Sequence, residues 1–217
     1  MLFRSQRQEE ERFILEDYTQ CSKSHLWKLM MSFYDRKGVD SWSEGIVPFF
    51  ITSNRFIGSA YAKVVRGFIK DCWDNHKRAS KNKAGEYVLS LHPDEPLYIV
   101  ELGAGSGRFT YFMLQALVAM EEILDFPLQN IKYIMTDFTE QNFNFWKTHP
   151  NLKEFFDRGL LDCGLFNAVR DDEIELYFSG KTLRSGEVAN PMIIVANYLF
   201  DTLCHDVFQV CENIMKE

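Results

Sequence analysis

Apolar positions change their spacing near the middle of the chain, from helical steps to short continuous runs. In residues 24–36 they fall at Leu26, Trp27, Met30, Met31, Phe33 and Tyr34, ahead of Gly38, which predicts a short helix stopped by a glycine. After Thr52-Ser53-Asn54 they recur at three- and four-residue steps, through Ile57, Tyr61, Val64, Val65, Phe68, Ile69 and Cys72, with Lys63, Arg66 and Lys70 opposite. That is an amphipathic helix, with Ser53 or Asn54 able to cap it.

From residue 97 the pattern alternates. A short apolar run ends in Glu101 and predicts a buried strand, followed at once by a glycine-rich turn. A helix is expected over 108–125, with Phe109, Phe112, Met113, Leu117, Met120, Ile123 and Leu124 on one face and Pro127 to end it. Residues 131–136 give a second strand closing on Asp137, and residues 140–156 a helix that Pro150 divides. Residues 160–166 give a third strand and 192–196 a fourth, introduced by Pro191. Residues 174–178 read as an extra strand or an irregular connection, and 206–210 as a last segment. Strand and helix alternating at these distances predict an α/β fold, a Rossmann-like parallel sheet spanning 91–217, behind an N-terminal helical cap or lid over 1–90.

Composition is that of a globular chain, 46% hydrophobic and 25% charged, and the 15% aromatic share suits large packed side chains. A net charge of −7 argues against nucleic-acid binding through a broad basic face. The one basic cluster, from His76 to Lys83, reads as a solvated linker. Five cysteines and five histidines show no metal-ligand spacing, so no metal site is expected. The N-terminal residues mix Arg with four Glu without a secretory or transit pattern, and no apolar run is long enough to span a membrane. A cytoplasmic protein with reduced thiols is the expectation.

The chemistry concentrates in Glu101-Leu-Gly-Ala-Gly-Ser-Gly107. A strand ending in an acid, a GxGxG turn and a helix form a crevice at the carboxyl ends of parallel strands. Gly103, Gly105 and Gly107 allow tight backbone and close approach of a ligand, with Ala104 between them. A P-loop needs Gly-Lys-Ser/Thr at its end, and the dinucleotide fingerprint a third glycine where Arg108 stands, which disfavours NAD chemistry. The remaining pattern is similar to that of S-adenosylmethionine (SAM)-dependent methyltransferases. On this reading Asp137, with Phe138 beside it, accepts the ribose hydroxyls, although a helix-cap role fits Asp137 alone equally well. Asn167 and Ala168 meet the adenine edge, with Asp162 and Cys163 as weaker candidates on the same strand. Asn197, Tyr198 and Asp201 lie beside the reactive methyl as catalytic candidates, Tyr198 offering a hydroxyl or a ring face to a sulfonium.

Over residues 48–210 the chain resembles class I methyltransferases of the MidA type, linked to mitochondrial complex I assembly. The likeness rests on residues 48–58 around Thr52 and Ser53, on the acidic glycine loop, and on Asn197-Tyr-Leu-Phe-Asp-Thr-Leu-Cys204. It implies SAM as cofactor, a mitochondrial setting as a second possibility, and a methyl acceptor such as a protein arginine. Two departures bear on the acceptor: Tyr198 stands where the family has Glu, and Cys204 where it has Pro. The family's sheet has seven strands and the sequence shows four good ones, so the sheet is expected to be incomplete on its C-terminal side. The alternative expectation is a catalytically silent SAM-fold module that binds a partner during assembly.

Overall fold

A computed structural model describes residues 14–78, 89–211 and 214–216. At its centre four strands lie parallel in the order β3-β2-β1-β6: β1 (Leu97–Leu102), β2 (Ile131–Asp137), β3 (Leu161–Leu165) and β6 (Ile193–Val195). Glu101 stands opposite Met135 on one side and Val195 on the other, so β1, beneath the glycine turn, is one of the two inner strands. All four begin and end within a residue or two of the expected positions; the apolar runs of β1 and β2 are buried on both faces, while Ile194 of the edge strand β6 is exposed.

Side chains alternate between the two faces of the sheet. Leu97, Ile99, Tyr133 and Met135 face a large core built with α3 (Arg55–Arg78), α4 (Arg108–Ala119), α5 (Glu140–Thr148) and α6 (Pro150–Asp157). Tyr98, Val100 and Ile134 face a smaller core closed by Ile174, Leu176 and Leu183. That second layer is a hairpin, β4 (Glu173–Glu175) paired antiparallel with β5 (Thr182–Arg184). The extra strand expected near 174–178 therefore exists, but in its own sheet and with a partner the sequence did not disclose. The segment expected at 206–210 likewise stays out of the main sheet: β7 (Gln209–Cys211) pairs with β8 (Ile214–Lys216).

The helices follow their local chemistry. The first, α1 (His25–Lys37), is capped by Ser24, whose side chain accepts the Leu26 N–H, and stops at Gly38 with φ 49°. A single turn, α2 (Asp40–Ser43), comes next. Asn54 caps α3, its Oδ1 accepting the Ile57 N–H at 3.0 Å. This helix runs on through His76, Lys77 and Arg78, so the start of the basic cluster is a helix end, where cations meet the carbonyl dipole, and not a linker. The rest of that cluster, 79–83, lies outside the described residues.

Helix α4 ends at Ala119, earlier than expected, and gives way to a 3₁₀ turn at Glu121–Ile123. Two consecutive glutamates are poorly placed at the negative end of a helix. Pro150 opens α6 at its first position, where it costs no hydrogen bond. Ala62, Val65, Ile69 and Cys72 of α3 are buried in the same core as β1 and α4, so α3 is built into the sheet's own layer. No helix among the described residues is long and apolar enough to cross a membrane.

Candidate functional site

The site grows from the turn between β1 and α4. Gly103, Gly105 and Gly107 all take left-handed φ, 66°, 56° and 73°. The turn is pinned at every step by its own backbone and by buried side chains. The Ala104 N–H donates to the Thr136 carbonyl at 2.9 Å and the Gly107 N–H to that of Ala104 at 2.9 Å. The Gly105 peptide is held from both sides: its N–H donates to Asp137 Oδ2 at 3.0 Å, and its carbonyl accepts the Trp146 indole N–H at 2.8 Å. The missing side chains have assigned uses. A Cβ on Gly105 would lie 2.8 Å from the Trp42 indole, one on Gly103 2.8 Å from Leu199, and one on Gly107 2.7 Å from Met135 and 3.3 Å from Trp146.

Two buried carboxyls lie beneath the turn. Both described side-chain hydrogen bonds of Glu101 land on Oε2, from the Thr110 hydroxyl and from the Tyr133 hydroxyl, the latter at 2.7 Å. Burial pushes its pKa up to about 7 against those bonds, and the neighbouring Asp137 adds to the rise. Burial also raises the pKa of Asp137, although four donors oppose it. These are the Thr139 N–H and hydroxyl on Oδ1, each at 3.0 Å, with the Gly105 N–H and the Asn142 amide on Oδ2 at 3.0 and 3.1 Å. A carboxylate offers about four lone-pair positions, and all are taken. Asp137 thus clamps the turn, and a ribose could reach its oxygens only by displacing one of these donors.

A cleft of about 190 Å³ opens above, at the carboxyl ends of the strands. The expected residues line it from five separate parts of the chain: Thr52 and Ser53; Glu101, Gly103, Ala104 and Gly105; Asp137 and Phe138; Asn167 and Ala168; Asn197, Tyr198 and Asp201. Gly107 is not among them. Its φ serves the start of α4 and the packing of Met135 and Trp146, so its expected place against a ligand is corrected to a structural one. Asp162 is corrected too: Oδ1 accepts the Phe178 N–H and Oδ2 the Ser179 N–H, each at 2.9 Å, which ties β3 to the hairpin. Cys163 is fully buried and its thiol is pushed up to about 12, chiefly by that burial.

Several expected residues have local employment as well. The Asn197 amide donates to the Thr52 carbonyl at 3.0 Å, joining the segment after β6 to the one before α3. Asn167 Oδ1 accepts the Val169 N–H at 3.0 Å, an Asx turn, which leaves its amide nitrogen for the cleft. Tyr198, exposed at the mouth, holds φ 59°, the one non-glycine residue described with positive φ.

The N-terminal segment, expected as a cap or lid, contributes side chains that sequence reasoning did not single out. Trp27, Met30, Met31 and Tyr34 of α1, with Trp42 of α2, face the glycine turn across the cleft. Tyr34 and Trp42 lie 5.9 Å apart ring to ring, and burial, then Asp201 and Asp137, raises the Tyr34 pKa. The helical spacing of Met30, Met31 and Tyr34 was visible, but nothing local distinguishes a stripe that faces a cleft from one that faces a core. Among the described residues no three His, Cys, Asp or Glu side chains are grouped as a metal ion would need.

No protein-family profile matches the chain, and no curated protein matches it. Among solved structures it is similar to a carbon methyltransferase, CurJ, at 17% identity and a TM-score of 0.25. The match covers 68% of this chain, which spans only 38% of that one. A likeness that faint carries no weight for fold or chemistry, which rest on the chain's own strands and side chains.

Proposed function

We propose that the cleft binds SAM and that the protein is a methyltransferase. The observation that carries this reading is the convergence of five distant segments, singled out as an adenosyl site, on one cleft at the carboxyl ends of parallel strands, above a three-glycine turn. SAM supplies an electrophilic methyl group on a sulfonium centre.

The residues present fit such a ligand. Glu101, with both described side-chain bonds on one oxygen, keeps Oε1 for an ammonium group. Main chain at Gly103 and Gly105 borders the methionine part without side chains in the way. Asp137 shapes the turn and borders the ribose, Phe138 and Ala168 flank the base, and the Asn167 amide meets its edge. Tyr34, Trp42 and Tyr198 give the mouth aromatic faces, which favour a cation. Asn197, Tyr198 and Asp201 face the acceptor, and α1, α2 and the segment to Ser53 exclude water over it. The resemblance to MidA-type methyltransferases makes a protein side chain the first acceptor class to try.

Two measurements test this. Calorimetry with S-adenosylhomocysteine should show binding at micromolar to submillimolar concentration, weakened at least tenfold by Asp137→Ala, which frees the Gly105 peptide. Labelled-methyl transfer into a protein extract should then separate an enzyme from a silent module. One observation favours the silent reading: the Trp42 and Leu199 side chains already stand within van der Waals distance of Gly105 and Gly103. Failure to bind the homocysteine compound, with no transfer, would overturn the methyltransferase reading.

A further inference from the structure

Among the described residues two buried side-chain atoms have no hydrogen-bond partner, Ser41 Oγ and Asn142 Oδ1. Asn142 is among the residues that line the cleft. Asn142 is 1% exposed, and its amide nitrogen donates to Asp137 Oδ2 at 3.1 Å. That bond fixes which way the amide faces, since a flip would set its oxygen against a carboxylate oxygen. Oδ1 is therefore an oriented acceptor, and a buried acceptor left unpaired is costly. The same Asp137 oxygen holds the Gly105 N–H, which places the Asn142 amide beside the glycine turn.

We propose that Asn142 Oδ1 accepts a hydroxyl of the ligand's ribose, and that Asp137 acts on that ribose only through the turn and the amide it holds. The assignment rests on the adenosyl reading of the cleft and deepens it. Its chemistry is one of elimination: Asp137 has its four acceptor positions filled, and Asn142 offers the oriented oxygen beside it that is not. Neither the strand-end acid rule nor the helical spacing of α5 points to this residue.

The experiment is a binding cycle. S-adenosylhomocysteine and its 2′-deoxy and 3′-deoxy analogues are titrated into the wild type, Asn142→Ala and the milder Asn142→Ser, with melting curves confirming that each variant is folded. Removing one buried hydrogen bond should weaken S-adenosylhomocysteine about tenfold in Asn142→Ala. One deoxy analogue should bind the wild type about as weakly as that, and should lose nothing further on substitution. Equal losses for all three ligands, or no loss, would overturn the assignment while leaving the cleft reading intact. The wild type alone gives a check that no folding defect can blur: if both deoxy analogues bind it as well as the parent compound, no ribose hydroxyl meets a buried acceptor. A wild type that binds none of the three brings down the adenosyl reading, and this assignment with it.

Discussion

A carboxyl buried as deeply as Glu101 ties folding to pH in a direction opposite to that of a salt-bridged acid. Its pKa rises from 4.5 to about 7 because burial outweighs two hydroxyl bonds. Between those values the folded chain holds a proton that the unfolded chain releases, so this group's contribution to stability is whole below about pH 4.5 and is lost as pH climbs through 7. Glu101→Gln keeps an acceptor for Thr110 and Tyr133 but cannot ionise. The variant should gain on the wild type between pH 5 and 8 by roughly 3 kcal/mol or less in denaturant titrations. A difference that stays constant over that range would show that the carboxyl does not titrate as its burial demands. Tyr198 carries a different cost. A side chain at φ 59° sits in the left-handed region at an expense of about 1–2 kcal/mol. Tyr198→Gly should therefore leave the melting temperature unchanged or higher while removing an aromatic face from the mouth. A clear drop would mean that the ring's contacts outweigh the backbone strain.

At the scale of elements, the sheet depends on a side chain outside any strand. Asn190, 3% exposed just before β6, accepts the His92 N–H at 2.7 Å and donates to the carbonyls of His92, Glu95 and Pro96 at 3.1, 2.8 and 3.3 Å. It staples the entry of β6 to that of β1, where the two run side by side. Asn190→Ala should cost about 2–4 kcal/mol, as four modest bonds are lost together, whereas Asn151→Ala on the exposed face of α6 should cost under 1. Chemical denaturation of the two variants measures both. Nothing in the sequence announced Asn190, for its partners lie almost a hundred residues away. The same distance explains what else was legible. Apolar runs located the four main strands, helical spacing located α1 and α3, and Pro150 marked the break between α5 and α6, because those signals are local. β5 and β8 carry no apolar run longer than two residues, unlike β6, and α4 ends ahead of Glu121 and Glu122, well before Pro127. In the site, the glycine turn and the acids at strand ends were readable from spacing. Trp42, Trp146 and Leu199, which determine why those glycines are needed, were not, since each reaches the turn from a separate segment.

For the molecule as a whole, the division between a cap and a core runs at a different place from the one expected. α3 belongs to the sheet's core through Ala62, Val65 and Ile69, while α1 and α2 face the cleft. What lies over the glycine turn is thus residues 25–53, with Trp42 at the point of closest approach, 2.8 Å from where a Gly105 Cβ would be. An adenosyl ligand entering along the Gly103–Gly105 main chain must share that space with the indole. Trp42 should report the event, because its ring would pass from contact with the turn to contact with the ligand. The protein has four tryptophans, and Trp146 is fully buried with its N–H engaged by the Gly105 carbonyl. Saturation with S-adenosylhomocysteine should change the intrinsic fluorescence, and the change should be smaller in Trp42→Phe, with Trp27 of the same cleft wall carrying the remainder. The smaller ring of that variant also frees volume beside Gly105, so its affinity should be equal or higher. If Trp42→Phe keeps the full fluorescence change, the ligand enters without disturbing α2. If the variant loses affinity by more than tenfold, the indole is a wall of the site and the space over Gly105 is not shared.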